Sequence, residues 1–327
     1  MNCGAFQDRK VLITGGLGFI GSNLARRLVD QGAEVTLVDS LLPPCGGNLF
    51  NIRGLENRLR VEVLDIRQAL QQGVLASDVD YVFNLAGLSS HLDSMTDPAM
   101  DLDINCAAQL SLLEAARQTS PDAKIVFAST RQIYGKPDHL PVDEDHPIRP
   151  IDVNGIHKAA GESYHLLYHR VYGLRAVALR LTNTYGPRMR VKDARQTFLG
   201  VWIGQVLQGR PFELWGGEQL RDFTYVDDVV DALMLAAVEP AVDGGAFNLS
   251  GEPVVSLRGL ADLLVEASGG SYEVCAFPPE RRLIDIGDYY ADDRRFRALT
   301  GWTPNVPLVA GLERTLGYYR DELANYL

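Results

Sequence analysis

The chain has 327 residues, of which 46% are hydrophobic and 22% are charged, and its formal net charge is −11. This length suits one or two domains, and no apolar run approaches the roughly 18–20 residues that span a bilayer. The acidic balance argues against nucleic acid as a partner, and the four scattered cysteines argue against disulfides and bound metal. The N-terminal segment MNCGAFQDRK lacks the apolar core of a signal peptide, so we expect a cytoplasmic protein without membrane contact.

The first predicted elements are a strand at residues 11–14, a glycine-rich turn and a helix at residues 22–29. Gly16, Gly18 and Gly21 satisfy the pattern G-x-G-x-x-G in this turn, and from Gly15, one residue earlier, the turn also satisfies G-x-x-G-x-x-G. Glycine keeps the turn tight, lets a pyrophosphate approach bare backbone, and lets the helix pack closely on the strand. The helix N-terminus offers unpaired N–H groups to the phosphates, so this segment predicts a dinucleotide site.

A carboxylate follows the next predicted strand, at residues 35–38. There Asp39 can accept hydrogen bonds from the adenosine ribose, and it repels the 2′-phosphate that distinguishes NADP from NAD. The sequence therefore favours NAD as the cofactor.

The alternation of strands and helices continues through the first half of the chain. Strand-like segments cover residues 61–67, 79–90 and 123–135, and an amphipathic helix at 103–118 precedes the last of them. Asp65 ends the first of these strands, where an adenine is within reach. This order predicts an α/β fold with a doubly wound, Rossmann-type parallel sheet that binds ligands at the carboxyl ends of its strands.

Several longer stretches carry a resemblance to a known family. In chain order they include NLAG, VFASTRQIYG, LRLTNTYGPR, LWGGEQLRDFTYVDDVVDAL, AFNLSG and YYADDRRFRALTGWTPNVPLVAGL. With the glycine turn they cover nearly the whole chain, which resembles the extended short-chain dehydrogenase/reductase family, and specifically its NAD-dependent nucleotide-sugar epimerases and dehydratases. The resemblance implies an NAD-binding domain at 1–182, to which part of 222–250 returns, and a smaller, mainly substrate-binding α/β domain at 183–327. It also implies a nucleotide-sugar substrate and a homodimer formed through helices around 102–117 and 155–171.

The resemblance further implies two sets of ligand contacts. The predicted cofactor contacts are Gly15, Gly18, Phe19, Ile20, Gly21, Asp39, Asp65, Ile66, Leu85, Ala86 and Lys158. The predicted substrate contacts are Ser89, His91, Thr130, Asn183, Arg221 and Arg282.

The predicted catalytic residues are Thr130, Lys158 and Asn154, and the last departs from the family. Members usually carry a tyrosine four residues before the lysine, whose charge lowers the tyrosine pKa so that the phenolate can accept a proton from a sugar hydroxyl. Lys158 and Thr130 match the family's lysine and hydroxyl residue, but Asn154 stands at the position of the tyrosine. An amide cannot act as a general base near neutral pH.

Three interpretations of Asn154 remain open. In the first, the proton acceptor is another group, such as Lys158, His157 or a carboxylate from the substrate loops. In the second, Asn154 orients a hydroxyl or a water within a proton relay. In the third, redox chemistry is lost and the protein only binds NAD and a sugar nucleotide. Because Lys158 and Thr130 are retained, the sequence favours an enzyme.

Epimerisation is favoured over elimination by the residues after the fifth strand. A dehydratase would usually want an acid near Thr130 to expel the leaving group, and this chain has Arg131 and Gln132 there. A dehydratase, a non-catalytic binding protein and a net NAD(H)-dependent oxidoreductase remain as alternatives.

Two charged segments in the second half have structural interpretations. The loop RMRVKDARQTF, at 188–198, carries four basic residues that either meet an additional negative group on the substrate, such as a uronic carboxylate, or face solvent. Asp227 and Asp228 are expected to cap a helix that starts near residue 229.

Overall fold

The computed structural model describes residues 4–43, 45–73, 78–278 and 285–327. Its strands in chain order are β1 (Lys10–Thr14), β2 (Glu34–Asp39), β3 (Arg60–Val63), β4 (Tyr81–Asn84), β5 (Lys124–Thr130), β6 (Arg175–Leu181), β7 (Asn183–Tyr185), β8 (Phe212–Trp215), β9 (Leu220–Arg221), β10 (Phe223–Tyr225), β11 (Ala246–Asn248), β12 (Val255–Ser256) and β13 (Tyr272–Cys275). Its α-helices are α1 (Phe19–Asp30), α2 (Ile66–Gln71), α3 (His91–Thr96), α4 (Pro98–Leu102), α5 (Ala108–Thr119), α6 (Val153–Tyr172), α7 (Phe198–Leu207), α8 (Val226–Val238), α9 (Leu257–Ser268), α10 (Arg294–Thr300) and α11 (Leu308–Glu322).

A seven-stranded sheet forms the centre, in the order β11–β6–β5–β4–β1–β2–β3, and all its strands are parallel. Parallel neighbours need crossover connections, and the helices between the strands supply them. The carboxyl ends of β1, β4 and β5 therefore meet at one edge, where the ligands of such sheets bind. The predicted doubly wound parallel fold is confirmed.

Both faces of the sheet are covered, because side chains of a strand alternate between faces. Ile13 of β1 packs in one core with Leu28 of α1 and Leu233 of α8. Its neighbour Leu12 packs in another core with Leu112 of α5. All these leucines are at most 3% exposed, and burying such a side chain contributes about 1.5–3 kcal/mol. The sheet is thus a rigid support for the loops at its carboxyl edge.

A third core lies in the C-terminal half. Trp202 of α7, Leu260 of α9 and Leu312 of α11 pack in it, together with Phe212 of β8 and Tyr185 of β7. Three two-stranded pairs accompany these helices: β7 with β10, β9 with β12, and β8 with β13. Meanwhile α8 and β11 return to the large sheet, where β11 pairs with β6.

Several predicted boundaries shift in the structure. The predicted strand at 79–90 is shorter in the structure, where it spans Tyr81–Asn84, and α3 begins at His91, directly after the predicted range. The predicted strand at 123–135 ends at Thr130, because the hydroxyl of Thr130 accepts the backbone N–H of Gln132 and starts a 3-10 turn. The prediction that Asp227 and Asp228 cap α8 is wrong.

The helix α8 begins earlier than predicted, with Tyr225 as its N-cap and no side-chain cap. Asp227 and Asp228 lie in the first turn, where negative charge favours the helix dipole. The Asp228 carboxylate instead accepts the backbone N–H of Asn305 at 2.9 Å and fixes the segment before α11. Among the described residues, no helix combines the length and apolar character of a membrane span.

Candidate active site

The glycine turn connects β1 to α1 at the carboxyl edge. Gly15 has a φ of +68°, which favours glycine, and a Cβ there would lie 2.9 Å from the Leu85 carbonyl oxygen. A Cβ at Gly21 would lie 2.3 Å from the Gly15 carbonyl oxygen, so the helix can approach the turn only with glycine at this position. Gly18 is the N-cap and provides no side-chain cap, which leaves the first N–H groups of the helix available for a phosphate.

Asp39, at the end of β2, stands beside this turn. Its carboxylate accepts the backbone N–H of Leu17 at 3.1 Å and that of Leu41 at 2.9 Å. Burial raises the pKa of Asp39, and these backbone bonds act in the opposite direction. The carboxylate is therefore held in place next to the glycine turn, as recognition of a ribose diol requires.

The other predicted cofactor contacts surround the same edge. Leu85 and Ala86 follow β4, and both donate their backbone N–H to the Thr14 hydroxyl at 3.1 Å. Asp65 follows β3 and binds Arg67 with both oxygens, at 2.8 and 2.9 Å. The remaining contacts are at helix starts: Phe19 and Ile20 in α1, and Ile66 in α2.

Lys158 projects from α6 toward the carboxyl end of β5. Its ammonium donates to the Ala128 carbonyl at 3.1 Å and lies 5.0 Å from the centre of the Phe127 ring. Burial lowers the pKa of Lys158 to about 8, while the charge of Asp101 opposes this effect. A Cβ at Gly87 would lie 2.9 Å from the ammonium nitrogen, so the glycine after β4 leaves room for the lysine tip.

Asn154, one helical turn before Lys158, is 1% exposed and acts as a link between segments. Its side-chain amide donates to the Leu88 carbonyl at 2.8 Å and to the Asp101 carboxylate at 2.9 Å. Both partners are acceptors, so the amide nitrogen is the atom that faces them. Asn154 therefore fastens the loop after β4 and the helix α4 to α6, and its amide nitrogen is used in this role.

Two aspartate–histidine pairs flank Asn154. His157 Nδ1 lies 2.8 Å from the fully buried Asp101 carboxylate. His91 Nδ1 is hydrogen-bonded to Asp152, the N-cap of α6, which also accepts the N–H of Gly155 at 2.7 Å. Burial raises the pKa of Asp152, but the hydrogen bond and charge of His91, together with the Gly155 N–H and the charge of Arg131, hold that pKa below its usual value.

Among the predicted substrate residues, Thr130 ends β5 and Ser89 lies in the loop after β4. Asn183 donates to the Asp222 carbonyl at 3.0 Å. Arg221 is buried and donates to the Leu220 carbonyl at 2.8 Å, and burial lowers its pKa to about 10. The sixth predicted residue, Arg282, lies outside the described residues.

A cluster of buried polar atoms without hydrogen-bond partners lies next to Thr130. Within the described part of the chain these atoms are Arg131 Nη1, Gln132 Oε1, Asp222 Oδ1 and the Tyr289 hydroxyl. The Arg131 guanidinium lies 5.1 Å from the centre of the Tyr289 ring, and burial raises the pKa of Asp222 to about 6. Buried polar groups are almost always paired, so such a cluster is typical of a site that a polar ligand completes.

This cluster was missed by the sequence interpretation, which used Arg131 and Gln132 only to argue against elimination. Tyr289 and Asp222 are far from Thr130 in the chain, and no local pattern pointed to them. The one available signal was that two polar residues follow a buried strand at its ligand-binding end.

The model of the NAD dependent epimerase/dehydratase family matches residues 11–250. The chain belongs to this family. UDP-glucose 4-epimerase of Mycolicibacterium smegmatis is 33% identical over 317 residues, which are 96% of this chain and 99% of that protein. UDP-glucuronic acid decarboxylase 1 of Xenopus tropicalis is 34% identical over 330 residues, which cover 97% and 74% of the two chains.

A solved structure shows the same fold. UDP-glucuronic acid 4-epimerase from Bacillus cereus, in complex with UDP-glucuronic acid and NAD, has a TM-score of 0.85 and 28% identity, and the match covers 95% of this chain and 99% of that one. The predicted resemblance is confirmed, and so is NAD as the cofactor of the NAD dependent epimerase/dehydratase family. The glycine turn, Asp39 and Lys158 fit this cofactor by the geometry described above.

The basic loop at 188–198 of this epimerase/dehydratase family member uses its charges internally. Arg190 pairs with Asp193 at 2.6 Å, and Arg195 pairs with both Asp193 and Asp93. Arg188 donates to the Asn23 side chain at 2.7 Å. These contacts hold the loop against α1 and α3, and they favour a structural role over recognition of a further anion.

Proposed function

We propose that this protein is an NAD-dependent enzyme that epimerises a nucleotide-activated sugar by transient oxidation, with a proton acceptor other than tyrosine. One observation carries the proposal: the Lys158 ammonium is buried against the Ala128 carbonyl, two residues before Thr130, at the carboxyl end of β5. Burying a charge is costly unless the charge is used, and here it lies where the cofactor and the sugar meet.

NAD held by the glycine turn, Asp39 and Lys158 would supply a reversible hydride acceptor, so that one sugar carbon could be oxidised to a ketone and reduced again from its other face. The residues of the chain position the two partners. Lys158 donates hydrogen bonds to the nicotinamide ribose, and Thr130 offers its hydroxyl to the sugar hydroxyl that loses its proton. Arg131 and Tyr289 supply unpaired polar atoms that orient the rest of the sugar.

Arg221 and Asn183 belong to the same proposal as contacts of the diphosphate. A guanidinium forms charge-assisted hydrogen bonds with phosphate oxygens in fixed directions. Arg221 is already oriented by the carbonyls of Leu220 and Gly287, and its second nitrogen lies 3.9 Å from Asp285. The acidic net charge of the protein makes such local cations the natural site for an anionic ligand.

Epimerisation is favoured over dehydration because the residues next to Thr130 cannot act as an acid. A guanidinium and a side-chain amide are both too weakly acidic to protonate a leaving hydroxyl, although both can donate hydrogen bonds. Elimination of a hydroxyl needs a proton donor at the leaving group, which this segment does not provide.

We also propose that the protein acts as a homodimer through α6. Three apolar side chains on this helix are exposed at helical spacing, with Ile156 at 53%, Leu167 at 38% and Val171 at 57%. A face of this kind is favourable when a second copy covers it. Leu167→Glu is expected to produce a monomer, which light scattering coupled to size exclusion detects.

The experiment that tests the function is proton NMR of the purified protein with NAD and a panel of UDP-, GDP-, CDP- and dTDP-sugars, including uronic acids. New anomeric signals that disappear in Lys158→Met would support epimerisation and identify the substrate. Unchanged spectra with line broadening would support a binding protein without catalysis. A stoichiometric change in the near-ultraviolet band of the nicotinamide would indicate net oxidation or reduction instead.

A further inference from the structure

The proposed reaction requires a group that accepts a proton, and this inference rests on that proposed function. Oxidation of a sugar alcohol to a ketone removes two electrons and two hydrogens. One hydrogen leaves the carbon as a hydride, for which NAD is the acceptor, and the other leaves the hydroxyl as a proton. Asn154 cannot hold this proton, so another side chain near Thr130 must.

His91 is connected to Thr130 through one residue, Gln132. The backbone N–H of Gln132 binds the Thr130 hydroxyl at 3.3 Å, and the Gln132 side-chain amide lies within hydrogen-bonding distance of His91 Nε2. The His91 ring keeps 34% of its side-chain surface exposed, whereas its partner Asp152 keeps 3%. One nitrogen of the ring therefore binds a buried carboxylate, and the other faces the end of β5.

The contacts of His91 indicate which ring nitrogen carries the proton and which one can accept a proton. Asp152 can only accept a hydrogen bond, so the proton between them is on His91 Nδ1. The amide nitrogen of Gln132 faces Nε2, which is then the acceptor of that bond. A general base has such an arrangement: the carboxylate fixes the tautomer and leaves Nε2 without a proton. The Gln132 amide occupies the Nε2 lone pair in the structure, so the amide must turn away before a sugar hydroxyl can donate to Nε2.

Gln132 serves both protonation states of the ring. In the structure its Nε2 faces His91, and its Oε1 is buried without a partner among the described residues. After His91 gains a proton, a half-turn of the amide brings Oε1 to the new N–H and pairs both groups. A carboxylate at position 132 could only accept a hydrogen bond from the ring and would favour its protonated form. An apolar residue there would offer the ring no hydrogen bond in either protonation state.

The other titratable groups near Asn154 are committed elsewhere. His157 pairs with one carboxylate oxygen of Asp101 on α4, and the other oxygen of Asp101 accepts a hydrogen bond from Asn154. Lys158 donates to the Ala128 carbonyl, on the side of β5 that faces α6. No hydrogen bond of the described residues connects His157 to Thr130 or Gln132.

We infer that His91 is the proton acceptor of this enzyme. His91 Nε2 takes the proton of the sugar hydroxyl as the hydride leaves the carbon, and it returns the proton to the oxygen when the hydride comes back. Asp152 is a positioning residue, which holds the ring tautomer through Nδ1 and stabilises the imidazolium. No proton or electron is gained or lost over the full cycle.

The first arm of the test measures the ring without turnover. In protein labelled with ¹⁵N-histidine, the His91 signals are assigned by their loss in His91→Asn. The expected spectrum at a pH where the ring is neutral shows the proton on Nδ1 and no proton on Nε2. Asp152→Asn keeps the helix cap but presents an N–H to Nδ1, so the proton should move to Nε2. A proton on Nε2 in the unaltered protein would overturn the inference.

The second arm measures turnover of the substrate found in the nucleotide-sugar panel. His91→Asn retains a donor toward Asp152 but lacks Nε2, and the expected loss of rate is about 100-fold or more. His91→Ala should show a similar loss, which added imidazole partly restores. The control is His139→Asn, which removes an exposed histidine 3.6 Å from Asp143 and should change the rate less than about threefold.

The outcomes separate this inference from the proposed function. If the unaltered protein converts a sugar nucleotide and His91→Asn does so within threefold, the function stands and the inference is wrong. If His157→Asn abolishes turnover while His91→Asn does not, the proton acceptor is His157, which pairs with Asp101, and the inference is wrong. If the unaltered protein converts no sugar nucleotide, the proposed function fails, and His91 as acceptor fails with it whatever its tautomer. Circular dichroism and NAD binding of each variant exclude misfolding as the cause of a loss.

Discussion

The substitution Asn154→Leu tests whether Asn154 has the structural role that its contacts indicate. Leucine has a similar volume and removes both hydrogen bonds of the amide nitrogen. A hydrogen bond to a carbonyl contributes about 1 kcal/mol, and one to a charged group contributes about 1.5–3 kcal/mol. One oxygen of Asp101, a residue that is 0% exposed, would then be left without its partner. The expected loss in the free energy of unfolding is about 3 kcal/mol.

The assay is urea unfolding followed by circular dichroism, supported by calorimetry. At the scale of about 2 °C per kcal/mol for large domains, the melting temperature should fall by about 6 °C. Asn325→Leu is the matched control, because its exposed amide also donates to a carboxylate, that of Glu322. The control should change stability by no more than about 0.5 kcal/mol. Equal stability of the two variants would refute the argument that Asn154 acts as a buried link.

Three further substitutions follow from the charged groups of the site. Asp222 has a folded pKa of about 6, so the folded state binds a proton that the unfolded state lacks between about pH 4 and 6. The free energy of unfolding of the protein therefore falls as pH rises through this window. At pH 7 the variant Asp222→Asn should be more stable than the unaltered protein by up to about 3 kcal/mol, and near pH 4 the two should be equally stable. Lys158 has a folded pKa of about 8, so the unfolded state binds more protons between about pH 8 and 10, and stability rises with pH there. The variant Lys158→Met should remove this pH dependence of stability, raise the melting temperature at pH 7 and abolish conversion of the sugar nucleotide. A lower melting temperature at pH 7 would contradict the argument that the buried charge of Lys158 destabilises the folded protein. Asp39→Ala should weaken NAD binding by about tenfold and improve NADP binding in calorimetric titrations, while an unchanged preference would exclude Asp39 as the ribose contact.

The features that could be predicted from the sequence are local. The glycine turn, Asp39 and the alternation of strands and helices each depend on residues that are close in the chain, and the structure places them as expected. Lys158 and Thr130 followed from a family pattern with fixed positions relative to α6 and β5. Such signals survive because backbone geometry and strand order determine them directly.

The features that could not be predicted depend on contacts between distant segments. Asn154 looked like a lost catalytic group, but its partners Leu88 and Asp101 lie on other elements, and no spacing in the chain brings them together. The same holds for His91 and Asp152, which meet only because α3 packs beside the start of α6. In the loop at 188–198, counting only basic residues suggested an anion site, whereas pairing with neighbouring aspartates uses most of the charge.

The chain crosses several times between the large sheet and the core of the C-terminal half. These crossings limit how such a protein can change by recombination. After β6 the chain leaves for β7, returns for α8 and β11, leaves again for α9, and comes back with Phe296 and Trp302 before α11. A single genetic crossover would carry α8 and β11 away from the sheet that they complete. Exchange of a ready-made half would therefore disrupt the central sheet, whereas single substitutions in the loops at the carboxyl edge leave these cores intact.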